Sequence, residues 1–127
     1  MNIEEYRNFC LSLPATSESF PFDEKVLVFK VENKMFALTN VDQYTSINLK
    51  CEPERAIELR EQYPSVRPGF HMSKKHWNTI DLDGSISNKL LEEWILHSYD
   101  RVVQTLPKKV REGLKEKSKT MNKQSKN

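Results

Sequence analysis

Residues 25–51 read KVLVFKVENKMFALTNVDQYTSINLKC, and this stretch decides the fold. Lys25 to Val31 is rich in β-branched and aromatic side chains, which suit a pleated, half-buried surface. Glu32-Asn33-Lys34 reads as a tight turn, because Asn33 tolerates the left-handed backbone that such a turn uses. Met35 to Thr39 then returns. From Tyr44 to Cys51 the chain alternates, with Ile47, Leu49 and Cys51 to one side and Ser46, Asn48 and Lys50 to the other. The pattern predicts a three-stranded antiparallel meander with one buried face.

A helix is expected before it. Ile3, Tyr6, Cys10 and Leu13 recur at helical spacing, Asn2 can cap, and Pro14 stops the run. Ala15 to Asp23 reads as a polar loop, with Phe20-Pro21-Phe22 plugging one end of the core. After the meander, Pro53 opens a second helix in its first turn. Val66 to Met72 reads as a short strand broken at Pro68-Gly69, and His76 to Leu82 as another, with Asp83-Gly84 turning the chain. Ser87 caps a long helix to Leu106 whose apolar stripe includes Leu91, Trp94, Ile95, Tyr99 and Val102. The order α-β3-α-β2-α predicts a two-layer α+β domain. Its sheet is mainly antiparallel and five-stranded, with helices packed on one face and the other face partly open.

Length and composition agree with one domain. A chain of 127 residues can bury about two thirds of its unfolded surface, enough for a single core. Residues 1–114 are expected to form it. Residues 115–127, rich in Lys, Ser and Asn, are expected to be a basic disordered tail. Residues 108–127 hold eight Lys/Arg and two Glu, a charge of +6; residues 1–107 hold twelve Lys/Arg and sixteen Asp/Glu, a charge of −4. Any basic face on the folded part must therefore be local. Cys10 and Cys51 lie in apolar patterns and read as packed, reduced thiols. No run approaches the ~20 apolar residues of a membrane span, and no leader is apparent, so a cytoplasmic location is expected.

The stretch Arg67-Pro68-Gly69-Phe70-His71-Met72-Ser73-Lys74-Lys75-His76-Trp77 is the main candidate site. Lys74 and Lys75 can contact phosphates, and Trp77 and His76 can stack or hydrogen-bond. The same run also reads as an ordinary turn between strands, with solvated lysines and an indole covering a sheet edge. His71 and His76 lie five apart with no third ligand nearby, which argues against structural zinc; no metal or other cofactor is expected. No nucleophile elbow, zinc-hydrolase helix or phosphate loop is present, so the chain is not expected to be an enzyme.

Several short pieces together resemble the MmcQ/YjbR family of small bacterial proteins. They are Cys10-x-Ser12-Leu13-Pro14, Pro21-Phe22, Lys34-Met35-Phe36-Ala37, and Ile47-x-Leu49-Lys50-Cys51 followed by Pro53. The most specific are Pro68-Gly69-Phe70-His71-Met72-x-Lys74-x-His76-Trp77 and Ser98-Tyr99-x-x-Val102, with Leu106-Pro107. The resemblance spans roughly residues 5–112 and implies a fold similar to secretion chaperones and frataxin-like proteins. It also implies non-enzymatic DNA binding through a double-wing arrangement of sheet and loops, with weak binding expected here. Lys34, Lys50 and Arg67 would add charge to the 67–77 segment. The alternative is a protein–protein interaction module that uses the open sheet face and Trp77. Nothing in the residues fixes the oligomeric state.

Overall fold

The computed structural model of the chain describes residues 1–70 and 72–125, with 117–125 described by backbone alone. The elements are α1 (Ile3–Leu11), β1 (Thr16–Ser19), β2 (Val26–Val31), β3 (Lys34–Asn40), β4 (Ser46–Lys50), α2 (Pro53–Gln62), β5 (Val66–Pro68), β6 (Trp77–Asp81), α3 (Asn88–Val103) and α4 (Lys108–Ser125). One sheet runs in the order β1-β2-β3-β4-β6-β5, with every neighbouring pair antiparallel. The predicted two-layer α+β architecture is present, with six strands rather than five. The additional strand is β1, Thr-Ser-Glu-Ser, which pairs Thr16 with Val31 through Ser19 with Val28. It holds no large apolar side chain, so it carries none of the alternation by which strands are read.

The meander follows its sequence closely. Glu32 and Asn33 both take positive φ, 48° and 66°, closing the β2–β3 hairpin in two residues. The β2–β3 register shifts between Phe29 and Lys30: Phe29 pairs with Ala37 and Lys30 with Met35, leaving Phe36 as the extra residue. The bulge turns Phe36 toward the helices, where it is fully buried and meets Tyr99 edge to face at 5.4 Å.

The main core lies between the sheet and the helices. Tyr6 and Cys10 of α1, Phe29 and Val31 of β2, Ile47 and Leu49 of β4, and Leu91, Ile95 and Val102 of α3 are its central members. Asn2 and Glu5 form a reciprocal capping box on α1, and Ser87 caps α3. Helix α4 continues past Leu114, where the sequence reading ended the domain. Leu114 is 5% exposed and packs on the core, and the helical backbone runs on to Ser125. Beyond Gly113 the run contains no Gly or Pro to break it. Phe20 and Phe22, expected to plug the core, are instead 49% and 66% exposed. The β1–β2 connection that carries them is exposed throughout residues 20–25. Among the described residues, no helix is long and apolar enough to cross a membrane.

On the other face a second, smaller cluster joins Val28, Leu38 and Trp77, with Val26, Met35 and Met72 packed against it. Met72 comes from the connection between β5 and β6, which therefore lies over part of the sheet face away from the helices.

Candidate functional site

The β5–β6 connection is fixed from three sides. Gly69 donates its N–H to the Trp77 carbonyl at 2.9 Å. A Cβ at Gly69 would lie 2.7 Å from the Trp77 Cβ, so only glycine fits. Phe70 N–H donates to Thr79 Oγ1 at 3.1 Å, and that hydroxyl donates to Asn48 Oδ1 at 2.6 Å. The third support is Arg60 of α2. Its Nε donates to Asn78 Oδ1 at 2.7 Å, and its Nη2 donates to the carbonyls of Lys74 and, at 3.3 Å, Trp77. Asn78 is itself buried and donates to the Ala56 carbonyl. A helix residue that reads in sequence as solvated charge thus clamps the Lys74–Trp77 turn.

The candidate residues separate by exposure. Lys74 and Lys75 stand exposed at the turn, and His76 is half-buried, its carbonyl accepting the Cys51 N–H at 2.8 Å. Trp77 is only 7% exposed. Its indole fills the second cluster, so stacking a base on it would require Met72 and the overlying segment to lift away. Arg67 forms a two-point ion pair with Asp81, at 2.7 and 2.9 Å. His71 lies outside the described residues. An open groove runs beside the turn, lined by Arg67, Pro68, Gly69, Phe70, Met72 and Lys74.

Antiparallel pairing determines where the remaining lysines lie. Lys34 begins β3, Lys50 ends β4 and Trp77 begins β6, and Lys50 is the cross-strand partner of Trp77. Lys34, Lys50, Lys74 and Lys75 therefore collect at one end of the sheet. Helix α3 adds to this end. The Ser98 hydroxyl accepts the Lys50 N–H at 2.8 Å and donates to the Phe36 carbonyl, standing between β3 and β4 where their ladder ends. One turn on lies Arg101, and the Thr105 hydroxyl accepts from Lys34 Nζ at 3.2 Å. His97 Nε2 accepts the Glu52 N–H at 3.1 Å, with Arg55 Nη1 3.4 Å from its other ring nitrogen. Burial lowers the His97 pKa, and Arg55 and Arg101 lower it further. Partial burial, then Arg101 and Lys34, lower that of Lys50.

The family model described as YjbR matches residues 11–101. The chain belongs to the YjbR family. The Escherichia coli K12 family member YjbR is 36% identical over 115 residues, covering 90% of this chain and 98% of that protein. YbdF of Escherichia coli O157:H7 is 36% identical over 107 residues, covering 84% and 88%. YyaQ of Bacillus subtilis is 34% identical over 95 residues, covering 71% and 75%. The crystal structure of a Deinococcus radiodurans protein with a DUF419 domain is similar at a TM-score of 0.84 and 41% identity, covering 89% of this chain and 87% of that one. A Pseudomonas syringae crystal structure matches at a TM-score of 0.65 and 27% identity, covering 77% and 96%.

The YjbR match includes the three-stranded meander, the β5–β6 connection and Arg101, the last matched residue. Arg60, Arg55, His97 and Arg101 were not read as site residues, because charged groups on amphipathic helices ordinarily face solvent. The available signal was the spacing of Ser98 and Arg101, which puts two polar groups on one helical face. Both cysteines are free and buried, and burial pushes both thiols above their ordinary range. A thiol held in its neutral form is a poor nucleophile. Among the described residues, no group of three or more His, Cys, Asp or Glu could hold a metal ion.

Proposed function

We propose that this YjbR-family domain is a non-enzymatic, cytoplasmic nucleic-acid-binding protein that engages DNA weakly through its phosphates. The observation that carries this reading is the basic end of the sheet. Lys34, Lys50, Lys74 and Lys75 meet there despite the net negative charge of residues 1–107. Among the described residues, Lys50, Lys74 and Lys75 have no side-chain hydrogen bond or ion pair, and Lys34 bonds only a neutral hydroxyl. Cations with no carboxylate partner, on strand ends and a clamped turn, present a pre-positioned row of charge to a phosphate backbone. In this reading Lys74 and Lys75 make the contacts, Lys34 and Lys50 extend the row, and His76 and Trp77 hold the turn in shape. Arg67 contributes once it leaves Asp81.

The alternative, docking of a protein partner, is supported by the exposed Phe20 and Phe22. Trp77 is too buried to serve it.

Fluorescence anisotropy with labelled duplex and single-stranded DNA tests the proposal. Wild type is compared with Lys74→Ala/Lys75→Ala and with a variant in which Lys117, Lys119, Lys123 and Lys126 are glutamine. Binding that weakens several-fold in the double mutant, with a salt slope smaller by about 2, supports the turn as the contact. Binding that vanishes only with the tail lysines, or is absent at low salt, refutes it and favours the protein-docking reading.

A further inference from the structure

Beside the lysine row, the end of α3 brings a further cation, Arg101, which is half-buried. Ser98 and Arg101 share one face of α3, and Thr105 lies in the turn that follows it. Ser98 is pinned to Lys50 N and Phe36 O, and Thr105 to Lys34 Nζ; Arg101 lies between the two in sequence, and its charge is felt at Lys50 together with that of Lys34. Arg101 Nε is buried and has no hydrogen-bond partner among the described residues. A buried donor without an acceptor is costly, and most such donors in native proteins are satisfied. Like charges compound the cost, since Lys50 is partly buried and feels the charges of both Arg101 and Lys34.

Two negative features lie near the cluster, and neither is hydrogen-bonded to it among the described residues. One is the C-terminal end of α3, whose partial charge suits a nearby cation. The other is Glu52, which Arg101 and His97 both influence. The two Glu52 carboxylate oxygens already accept the N–H groups of Glu54 and Arg55, capping α2. Arg55 and His97 border the same place and bring no counter-charge.

From this arrangement we infer that Lys34, Lys50 and Arg101, around the Ser98 bridge between β3 and β4, form a discrete binding site for one tetrahedral oxyanion of the phosphate class. Three cations with no bonded carboxylate among the described residues suit a dianion. A guanidinium among them can give directional bonds to phosphate oxygens, which lysine alone does not. The phosphate can be free, or can belong to a nucleotide or a nucleic-acid strand. The site shares Lys34 and Lys50 with the proposed DNA contact but uses Arg101 in place of the turn lysines, so loss of Lys74 and Lys75 separates the two.

The test is a two-dimensional amide NMR titration with inorganic phosphate at constant ionic strength, with chloride and acetate as controls. The expected result is saturating shifts at Lys34, Lys50, Ser98 and Arg101, with millimolar affinity. Arg101→Met and Lys50→Met should each weaken it at least about tenfold, and Lys74→Ala/Lys75→Ala should leave it within about twofold. The dispersion of the same spectra shows whether each variant folds. If Arg101→Met does not fold, Arg101→Lys and Lys34→Met are read in its place. Shifts that grow linearly without saturating, that match those in chloride, or that survive loss of Arg101 or Lys50 overturn the site. Competition by a dinucleotide with and without a 5′-phosphate then identifies the source. Displacement by both indicates a backbone diester, and displacement by the phosphorylated form alone indicates a terminal or free phosphate; either supports the site.

Discussion

Charged residues serve different purposes at the two ends of the sheet. At the end where β2 and β5 begin and β6 finishes, carboxylates hold turns together. Asp23 accepts the N–H groups of Lys25 and Val26, Asp83 accepts the Ser65 and Ser85 hydroxyls and the Ser85 N–H, and Asp81 takes both arms of Arg67. At the other end, where β3 begins and β4 finishes, Lys50, Lys74, Lys75 and Arg101 have no such partners among the described residues. The acidic end therefore explains itself through local structure, and the basic end does not. Net charge averages the two and conceals both. A domain with a negative total can still present a positive surface when its carboxylates are occupied elsewhere.

The most severe way to break the contrast is to remove the fold's own contact at the basic end. Ser98→Ala leaves the buried Lys50 N–H and Phe36 carbonyl without partners, and a loss of about 3 kcal/mol in urea unfolding is expected. Charge reversal at the turn, Lys74→Glu with Lys75→Glu, should weaken DNA binding about thirtyfold at low salt with little change in stability; anisotropy and thermal melts check the two halves. Neutralising the other end sharpens the comparison. Glu24 and Asp42 hold no turn through their side chains, and Glu24→Gln with Asp42→Asn should strengthen binding by no more than about twofold. A five-residue strand separates the ends by roughly 16 Å, beyond the Debye length of about 10 Å at 0.1 M salt. A larger gain would show that the ends are not electrically separate.

The smallest effect concerns acid. The Ser65 hydroxyl, then Ser85, hold the Asp83 carboxyl down at about 2, below its ordinary 3.8. The folded value lies below the unfolded one, so this contribution is present above pH ~4 and fades as pH falls through about 2. Ser65→Ala should raise the Asp83 pKa and move that loss to higher pH, as read by carboxyl NMR titration. Binding at the basic end should not change.

What the chain revealed beforehand follows the same division. The meander was legible because Ile47, Leu49 and Cys51 alternate with polar neighbours, and Glu32-Asn33 requires a turn. Strand β1 was not, because Thr-Ser-Glu-Ser pairs through its backbone alone. The exposure of Lys74 and Lys75 followed from the Pro68-Gly69 break. The burial of Trp77 did not, because it depends on Met72 folding back across the sheet and on Arg60 holding the turn from a helix distant in sequence. The place of Arg101 emerges only once Ser98 and Thr105 are seen bonded to different strands.

The outermost strands have a consequence of their own. On one side β5 is three residues long and ends in Pro68, which offers no amide hydrogen; on the other β1 is short and polar, with Glu18 tied to Arg7 across to α1. Neither margin gives an incoming peptide the length of unpaired backbone it would need to extend the sheet, and neither invites end-to-end polymerisation. Growth by strand addition, the common hazard of an antiparallel sheet, is discouraged along both sides of this fold.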